Sequence, residues 1–359
     1  MNAMNNQIKL LAFVVVLVGV VGSIILLESF PGGALDVTSS PYEFVAIEGW
    51  LNSDPLTMES LRGKVVLVDF WTYSCINCIR TFPYLNSWYD KYSESDFIIV
   101  GVHSPEFGFE KEIDNVRDAI ELYGLKFPVA IDNEHGTFRG FANRYWPHKY
   151  LFDAEGNLRY DHIGEGAYME TERNIQALLL EKGVDVSHIP LEDELFNNPA
   201  LGEAVGDQTR ELYALRDVVN RAVDRINFAD AGESHSREGI YLNGLWEQNV
   251  DHYRSLGNQD GMNFFQISYR GRSASPVMGP SESEEDSFIA FVFLDNESVP
   301  RWFAGPDLLF DEQGRSYVLI TGPPRLYSLV NADIPAGAHE LRVSSGSVGL
   351  AIWSVTFGS

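Results

Sequence analysis

Cys75 and Cys78 are the only cysteines in the 359-residue sequence, and they lie three positions apart. A disulfide between residues this close closes too short a loop to restrict the unfolded chain much, so a purely structural role explains the pair poorly. The spacing suits either half of a metal site or a dithiol that is oxidised and reduced in turn. Both alternatives place chemistry at this pair.

The elements on either side of the pair predict how the two sulfurs are held. The apolar run GKVVLVDFW, residues 63–71, predicts a buried strand, and residues 75–92 predict a helix. Cys75 then begins the helix, where free N–H groups and the helix dipole stabilise a thiolate. Cys78 lies one turn further on, close enough to form a disulfide with Cys75.

Asp69 is a third candidate, because it is a carboxylate inside the apolar strand, six residues before Cys75. Burial disfavours the charged form of a carboxylate and raises its pKa. Asp69 is therefore expected to accept the proton of Cys78 when that thiol attacks a mixed disulfide. The alternative is a structural carboxylate that bonds to the backbone.

The sequence around this unit alternates between strand and helix. Further strands are predicted at 96–104 and 127–132, a hairpin around the turn AEGN, and helices at 110–124, 136–143 and 168–183. Helices between strands predict βαβ units and a layered α/β domain, which we place at residues 41–186.

Several quoted segments resemble the thioredoxin superfamily. VDFW, the Cys-x-x-Cys pair and Pro83 five residues later follow the thioredoxin pattern. DFWTYSCINCIRTFPYL, VGVHSPEF, FPVAIDN and YWPHKYLFD are similar to TlpA-like membrane-attached thioredoxins, and among them to the C-terminal region of DipZ-type proteins. The resemblance implies a thioredoxin fold, with Cys75 as nucleophile, Cys78 as resolving thiol and Pro147 as a cis-proline facing the disulfide.

The same resemblance implies a substrate groove around the pair. Its predicted lining residues are Trp71, Tyr73, Ser74, Ile76, Asn77 and Trp146. The chain departs from the family at Ser74, where Trp is common, and at Trp146, where a small residue is usual. These departures concern the groove rather than the chemistry.

Three other interpretations of the cysteine pair fit the sequence less well. A zinc site needs two further Cys or His ligands, and the nearest histidine, His103, belongs to the next strand. A copper chaperone of the Sco type requires a wider cysteine spacing, and a peroxidase requires a lone peroxidatic cysteine. We therefore predict no metal and no cofactor other than the redox-active Cys75–Cys78 disulfide.

The N-terminus predicts a membrane segment. Residues 10–27 form an uncharged apolar run of 18 residues, preceded by Lys9 and followed by Glu28. This length nearly spans a bilayer core, and the charges favour a cytoplasmic tail at 1–9, a transmembrane anchor at 10–27 and a linker at 28–40. The alternative is a signal peptide cleaved near Ala34. Either arrangement places the bulk of the chain outside the cytoplasm, in the periplasm or at the cell exterior.

The remainder of the chain changes character. After a polar connector at 187–208, residues 209–359 predict an all-β sandwich of jelly-roll type, with one helix within 209–228. The final segment resembles the carbohydrate-binding-module-like domain of DipZ-type proteins. Tyr241, Trp246 and Trp302 are candidates for stacking on a glycan, although aromatic residues in a sandwich mostly belong to its core.

Composition and motifs together favour an enzyme over an adaptor. The net charge of −25 and the pI near 4.6 argue against nucleic-acid binding. A membrane-tethered thiol–disulfide oxidoreductase uses all the site residues, whereas a recognition protein with a thioredoxin-like scaffold needs none of them. Ile76-Asn77 lacks the His of strongly oxidising relatives, which favours a reductant of disulfides in extracytoplasmic proteins. Its electrons would come from a separate membrane donor of the DsbD/CcdA type.

Overall fold

Two architectures follow each other in the computed structural model of the chain. The structure describes residues 42–192, 208–224, 226–229, 235, 237–258, 263–281, 287–331 and 333–358. The predicted tail, anchor and linker at 1–40 lie outside these residues, as does most of the predicted connector. Within the described part of the chain, no helix combines the length and apolar character needed to cross a bilayer.

The first architecture is a six-stranded sheet with helices, as the sequence predicts. The sheet order is β1-β4-β3-β2-β5-β6, with β2, β3 and β4 parallel and the other strands antiparallel to their neighbours. The strands are β1 Gly49–Leu51, β2 Val65–Trp71, β3 Phe97–His103, β4 Val129–Ile131, β5 His148–Phe152 and β6 Leu158–Ile163. The helices are α1 Ile76–Tyr92, α2 Ile113–Tyr123, α3 Gly136–Gly140 and α4 Tyr168–Glu181, with a 3₁₀ turn at Gly108–Lys111.

Strand β2 is central because both of its faces are buried. Alternate side chains of a strand point to opposite faces of the sheet. Val65, Leu67 and Trp71 belong to the core that contains α1, whereas Val66, Val68 and Phe70 belong to the core on the other face. Asp69 has the same parity as Leu67 and Trp71, so its carboxylate lies on the face that carries α1 and Cys78.

A glycine in the neighbouring strand makes room for the last side chain of β2. A Cβ atom at Gly101 would lie 2.8 Å from Nε1 of Trp71 and 2.9 Å from a ring carbon of Phe127. Both distances are shorter than normal carbon contacts. The close packing of Trp71 therefore depends on the absence of a side chain at position 101.

The second architecture is all-β and almost entirely antiparallel. Its long strands are β10 Gly239–Gln248, β12 Asn263–Gly271, β13 Ser273–Pro280, β14 Ser287–Leu294, β17 Ser316–Thr321, β19 Gly337–Ser345 and β20 Val348–Gly358. Shorter strands are β7 Leu212–Tyr213, β8 Ala222–Asp224, β9 Asn227–Phe228, β11 Tyr253–Leu256, β15 Glu297–Ser298, β16 Leu309–Phe310 and β18 Arg325–Leu326. The main path runs β16-β17-β14-β19-β12-β10-β11-β20-β13-β18 and encloses one apolar core.

Strand β10 joins the two halves of this β domain. Its first half pairs with β12, and its second half pairs with β11 and β9. The change occurs at Gly244, where φ is +95° and a Cβ would lie 2.0 Å from Oδ1 of Asn263. Only glycine fits both the left-handed backbone and the close approach of the amide.

The helix predicted within 209–228 is only four residues long in the structure. The segment forms β7, the four-residue helix α5 Ala214–Asp217, β8 and β9. Leu212 and Phe228 are buried in the β core, and their strands pair with β20 and β10. Tertiary pairing with strands more distant in the sequence outweighs the weak helical pattern of the segment.

Candidate active site

Cys75 and Cys78 lie at the junction of β2 and α1, as predicted. Cys75 is the N-cap of α1, and its Sγ accepts a hydrogen bond from the backbone N–H of Cys78 at 3.3 Å. The two thiols are not joined by a disulfide, and Cys75 is partly exposed whereas Cys78 is fully buried. Only the first sulfur is accessible to a substrate, and the helix N-terminus donates to that sulfur.

Burial also sets the proton chemistry of Cys78. Its pKa lies well above the ordinary thiol value, chiefly because the side chain is buried. The neighbouring Cys75 and Asp69 raise the pKa of Cys78 further. A thiol must lose its proton before it can attack a disulfide. Cys78 therefore needs a proton acceptor in its surroundings.

Asp69 has the properties of that acceptor. Its side chain is fully buried, and neither carboxylate oxygen has a hydrogen-bond partner among the described residues. Burial raises the pKa of Asp69 to about 7, an effect that the positive charge of Lys149 partly offsets. At neutral pH the carboxylate can therefore both accept and return a proton.

Lys149 is a neighbour of Asp69 that the sequence analysis did not identify. The two residues are paired directly across antiparallel β2 and β5, so their side chains lie on the same face of the sheet. Lys149 is fully buried, its Nζ donates to the carbonyl oxygen of Gly164 at 3.1 Å, and burial lowers its pKa. The sequence does contain a signal for the burial of Lys149, namely a charged residue next to the apolar run YLF, comparable to Asp69 in its own strand.

A second buried acid holds the residue before the nucleophile. Glu110 accepts hydrogen bonds from the Ser74 backbone N–H at 3.3 Å and from the Ser74 hydroxyl at 2.6 Å. It also accepts from the backbone N–H groups of Glu106 and Phe107 at 2.6 and 2.9 Å. Ser74 thus ties the peptide preceding Cys75 to the loop after β3. The sequence carried no signal for Glu110, since it lies in a charged, helix-like run.

The Trp146–Pro147 peptide bond is cis, as the resemblance implies. Because β5 is antiparallel to β2, Pro147 precedes β5 beside the end of β2, from which the chain leads to Cys75. Trp146 is partly exposed, stacks on Phe138 with ring centres 4.8 Å apart, and donates its Nε1–H to the carbonyl of Ser104 at 3.0 Å. Trp146 is therefore a fixed aromatic surface beside the cis-proline.

The predicted groove residues divide into two groups by burial. Trp71, Tyr73, Ser74 and Ile76 are buried, because their side chains pack inside the protein, and they offer almost no side-chain surface to a substrate. Asn77 and Trp146 are partly exposed. The accessible surface around Cys75 is therefore narrower than the sequence analysis predicts.

His103 packs between the aromatic rings beside the site. Its ring lies 4.9 Å from that of Trp71 and 5.9 Å from that of Tyr73, and complete burial lowers its pKa to about 3. It is neutral at physiological pH. Within the described ranges, no group of three or more His, Cys, Asp or Glu side chains is arranged to hold a metal ion.

The predicted glycan-stacking residues also differ in exposure. Trp246 is fully buried and Tyr241 is 8% exposed, so both are part of the β domain's interior rather than a stacking surface. The ring of Trp246 belongs to the apolar core, whereas the ring of Tyr241 packs on that of His235 with centres 3.8 Å apart. Trp302 is 70% exposed and is the one candidate of the three with an accessible ring face.

The fold and the dithiol site together define a thioredoxin-like domain. Residues 48–161 match the model of the AhpC/TSA family. The matched segment lies within the α/β domain and contains Cys75 and Cys78.

Two curated relatives extend the comparison. The chain is 47% identical over 317 residues to Protein DipZ of Mycobacterium bovis, an alignment that covers 87% of this chain and 42% of that relative. It is 29% identical over 140 residues to Thiol-disulfide oxidoreductase YkuV of Bacillus subtilis, covering 39% of this chain and 93% of that relative. The chain thus spans less than half the length of the DipZ protein that it matches.

Among solved structures, the chain resembles a thioredoxin-like protein determined in solution in its oxidised form. The two share 30% sequence identity over 40% of this chain and 98% of that one, with a TM-score of 0.37.

Proposed function

We propose that the protein reduces disulfides in other proteins by dithiol exchange at Cys75 and Cys78. The observation that carries this proposal is the exposed, helix-capping Cys75 with the buried Cys78 one turn behind it. Matches to proteins named thiol-disulfide oxidoreductase support the same chemistry. A recognition protein that used this domain only as a scaffold would not need a buried acid beside a buried thiol.

The reaction proceeds in two displacements. The Cys75 thiolate attacks one substrate sulfur, which forms a mixed disulfide and releases the other substrate sulfur as a thiolate that takes up a proton. Asp69 then accepts the proton of Cys78, and the Cys78 thiolate attacks Sγ of Cys75. The mixed disulfide breaks, the second substrate sulfur leaves as a thiolate that takes up a proton, and Cys75 and Cys78 become the disulfide. Two electrons pass from the enzyme to the substrate.

The proposed setting is extracytoplasmic, with the chain held at the cytoplasmic membrane by residues 10–27. The apolar run in the sequence and the similarity to DipZ support this placement. After each turnover the Cys75–Cys78 disulfide must be reduced, and a separate membrane donor of the DsbD/CcdA type would supply the electrons. Substrates would be disulfide-containing extracytoplasmic proteins.

A subsidiary proposal concerns the β domain, which we interpret as a jelly-roll sandwich similar to carbohydrate-binding modules. The exposed ring of Trp302 supports a glycan contact at that residue, because a flat aromatic face can stack on a sugar ring. Loss of retention on a polysaccharide affinity gel by Trp302→Ala would test it.

The trapping experiment tests the main proposal. Cys78→Ala should accumulate mixed disulfides with partner proteins on non-reducing gels, because the first displacement occurs and the second cannot. Cys75→Ala should trap almost none, since Cys78 is buried. Equal trapping by the two variants would contradict the division of roles, and no trapping by either folded variant would favour the adaptor interpretation.

A further inference from the structure

The β domain packs against the thioredoxin-like domain directly beside the nucleophile. Ile76 and Phe107 are buried in one apolar cluster with four residues of the β domain, which we call the β wall: Val277, Leu326, Ala351 and Trp353. Ile76 follows Cys75 in the first turn of α1, yet it is only 3% exposed. A residue at this position would face solvent if the thioredoxin-like domain stood alone.

Specific contacts reinforce the apolar cluster. The backbone N–H of Gly108 donates to Oδ2 of Asp251 at 2.8 Å, and the hydroxyl of Tyr213 donates to Oε1 of Glu106 at 2.7 Å. The rings of Phe109 and Trp353 meet almost at right angles with centres 4.9 Å apart. Hydrogen bonds and an aromatic pair in addition to apolar burial hold the two domains in one defined orientation.

These contacts all lie on one side of Cys75. The sheet order places β3 on one side of β2, and β5 with β6 on the other. The β wall covers the first turn of α1 and the loop that follows β3. On the β5 side, Asn77 and Trp146 are partly exposed, and Tyr145 is 49% exposed. Cys75 is therefore approached from the β5 side.

We propose that the β domain, held in place through the β wall, forms one side of the substrate groove of Cys75, and that it restricts the enzyme to disulfides in flexible, extended polypeptide segments. This inference rests on the proposed function and adds to it the class of substrate. It also assigns the β domain a role in selecting substrates, independent of any glycan.

The physical basis is exclusion. A disulfide on a compact protein lies on a convex surface, and that surface must come within bonding distance of Cys75 along with its sulfur. The β domain, anchored by the β wall against Ile76, stands beside Cys75 and collides with such a body, whereas an extended segment can enter on the side of Trp146. Rejection by steric conflict is a common way to build specificity without new attractive contacts.

Two variants of the full chain, purified in detergent, distinguish an effect on the β wall from an effect on the exchange reaction at Cys75 and Cys78. Trp353→Ala removes the largest side chain of the β wall. Tyr213→Phe combined with Asp251→Ala removes the two hydrogen bonds described above and leaves the apolar cluster intact. The matched control, Tyr317→Phe with Asp333→Ala, changes the same residue types on β17 and in an exposed turn, at positions that form none of the contacts above.

Initial reduction rates are compared for three probes: hydroxyethyl disulfide, a flexible peptide closed by one disulfide, and insulin as a compact protein. The wild type should reduce the peptide much faster than insulin. Both wall variants should raise the insulin rate relative to the peptide rate by about tenfold, equivalent to about 1.4 kcal/mol, with the hydroxyethyl disulfide rate unchanged. The control should keep the wild-type ratio.

The outcomes distinguish the two proposals. Normal reduction of hydroxyethyl disulfide together with an unchanged insulin-to-peptide ratio in the wall variants would overturn the wall and leave the oxidoreductase function intact. A wild type that cannot reduce even hydroxyethyl disulfide would overturn both. If Trp353→Ala does not fold, as circular dichroism would show, the double variant decides.

Discussion

Replacing Asp69 by asparagine should stabilise the thioredoxin-like domain increasingly as the pH rises. The carboxylate is fully buried without a hydrogen-bond partner among the described residues, and burial raises its pKa from 3.8 to about 7. A group whose pKa is higher in the folded state contributes stability that is fully present below the unfolded pKa. That contribution is lost as the pH rises through the folded pKa. Asparagine cannot ionise, so the variant does not lose stability as the pH rises.

The size of the effect follows from the pKa difference. The rise of about three pKa units at about 1.36 kcal/mol each amounts to about 4 kcal/mol. The difference in unfolding free energy between variant and wild type should therefore grow by about 4 kcal/mol between about pH 4 and about pH 8. Any cost of burying the asparagine amide is the same at all pH values, because the amide does not ionise, and it cancels from this difference.

Urea unfolding followed by the helical circular dichroism signal is a suitable assay. The long helices α1, α2 and α4 belong to the thioredoxin-like domain, whereas the described β domain contains only a four-residue helix and a short 3₁₀ turn. The signal therefore reports on the domain that contains Asp69. Both proteins are kept reduced, so that the state of the Cys75–Cys78 pair is the same throughout.

Repeating the comparison in a Lys149→Met background is the control, because it removes the titration of the facing amine. The pH-dependent gain should persist there and become larger at neutral pH, since the pKa of Asp69 rises further without its cation. A difference in unfolding free energy that stays constant between about pH 4 and about pH 8 would refute the reasoning, because it would mean that Asp69 ionises as easily in the folded as in the unfolded chain.

Three further predictions concern activity, docking and packing. Lys149→Met should shift the pH profile of disulfide reduction to higher pH in stopped-flow measurements, because the pKa of Asp69 rises; an unchanged profile would exclude electrostatic coupling between the two residues. Glu106 lies in the domain contact, where it accepts a hydrogen bond from the Tyr213 hydroxyl, and burial raises its pKa to about 8. Docking of the two domains should therefore weaken as the pH rises through about 8, because the carboxylate then becomes charged while it is buried. Glu106→Gln should abolish that dependence, as measured by the insulin-to-peptide rate ratio. Gly101→Ala should cost about 1–3 kcal/mol in urea unfolding, because its Cβ overlaps two aromatic rings; a smaller cost would show that the rings can move apart.

The local part of the site was predictable from the sequence. The apolar run that ends at Trp71, the cysteine pair and the following helix lie within one short stretch, so strand burial, helix capping and the order of the two sulfurs depend on near neighbours. Asp69 could be singled out for the same reason, since a lone carboxylate in an apolar strand must be buried with it. The α/β domain and the all-β region after it were recognisable from periodicity and turn residues.

Other features depend on contacts between residues far apart in the sequence. The helix predicted within 209–228 is limited to four residues with short strands on either side, because β20 and β10 provide pairing partners for Leu212 and Phe228. Burial of Trp246 in the β core likewise depends on which face of its strand turns inward. Periodicity within a segment contains no information about such partners.

The amino-acid sequence by itself determined where the redox chemistry lies and which sulfur is exposed, because those properties arise within a single strand–helix junction. Only the tertiary structure decided what surrounds the junction. The register of β2 against β5 brings Lys149 opposite Asp69, and the docking of the β domain buries Ile76 under Trp353. Ile76 and Trp353 are separated by most of the chain, and their contact depends on how two independently patterned domains fit together.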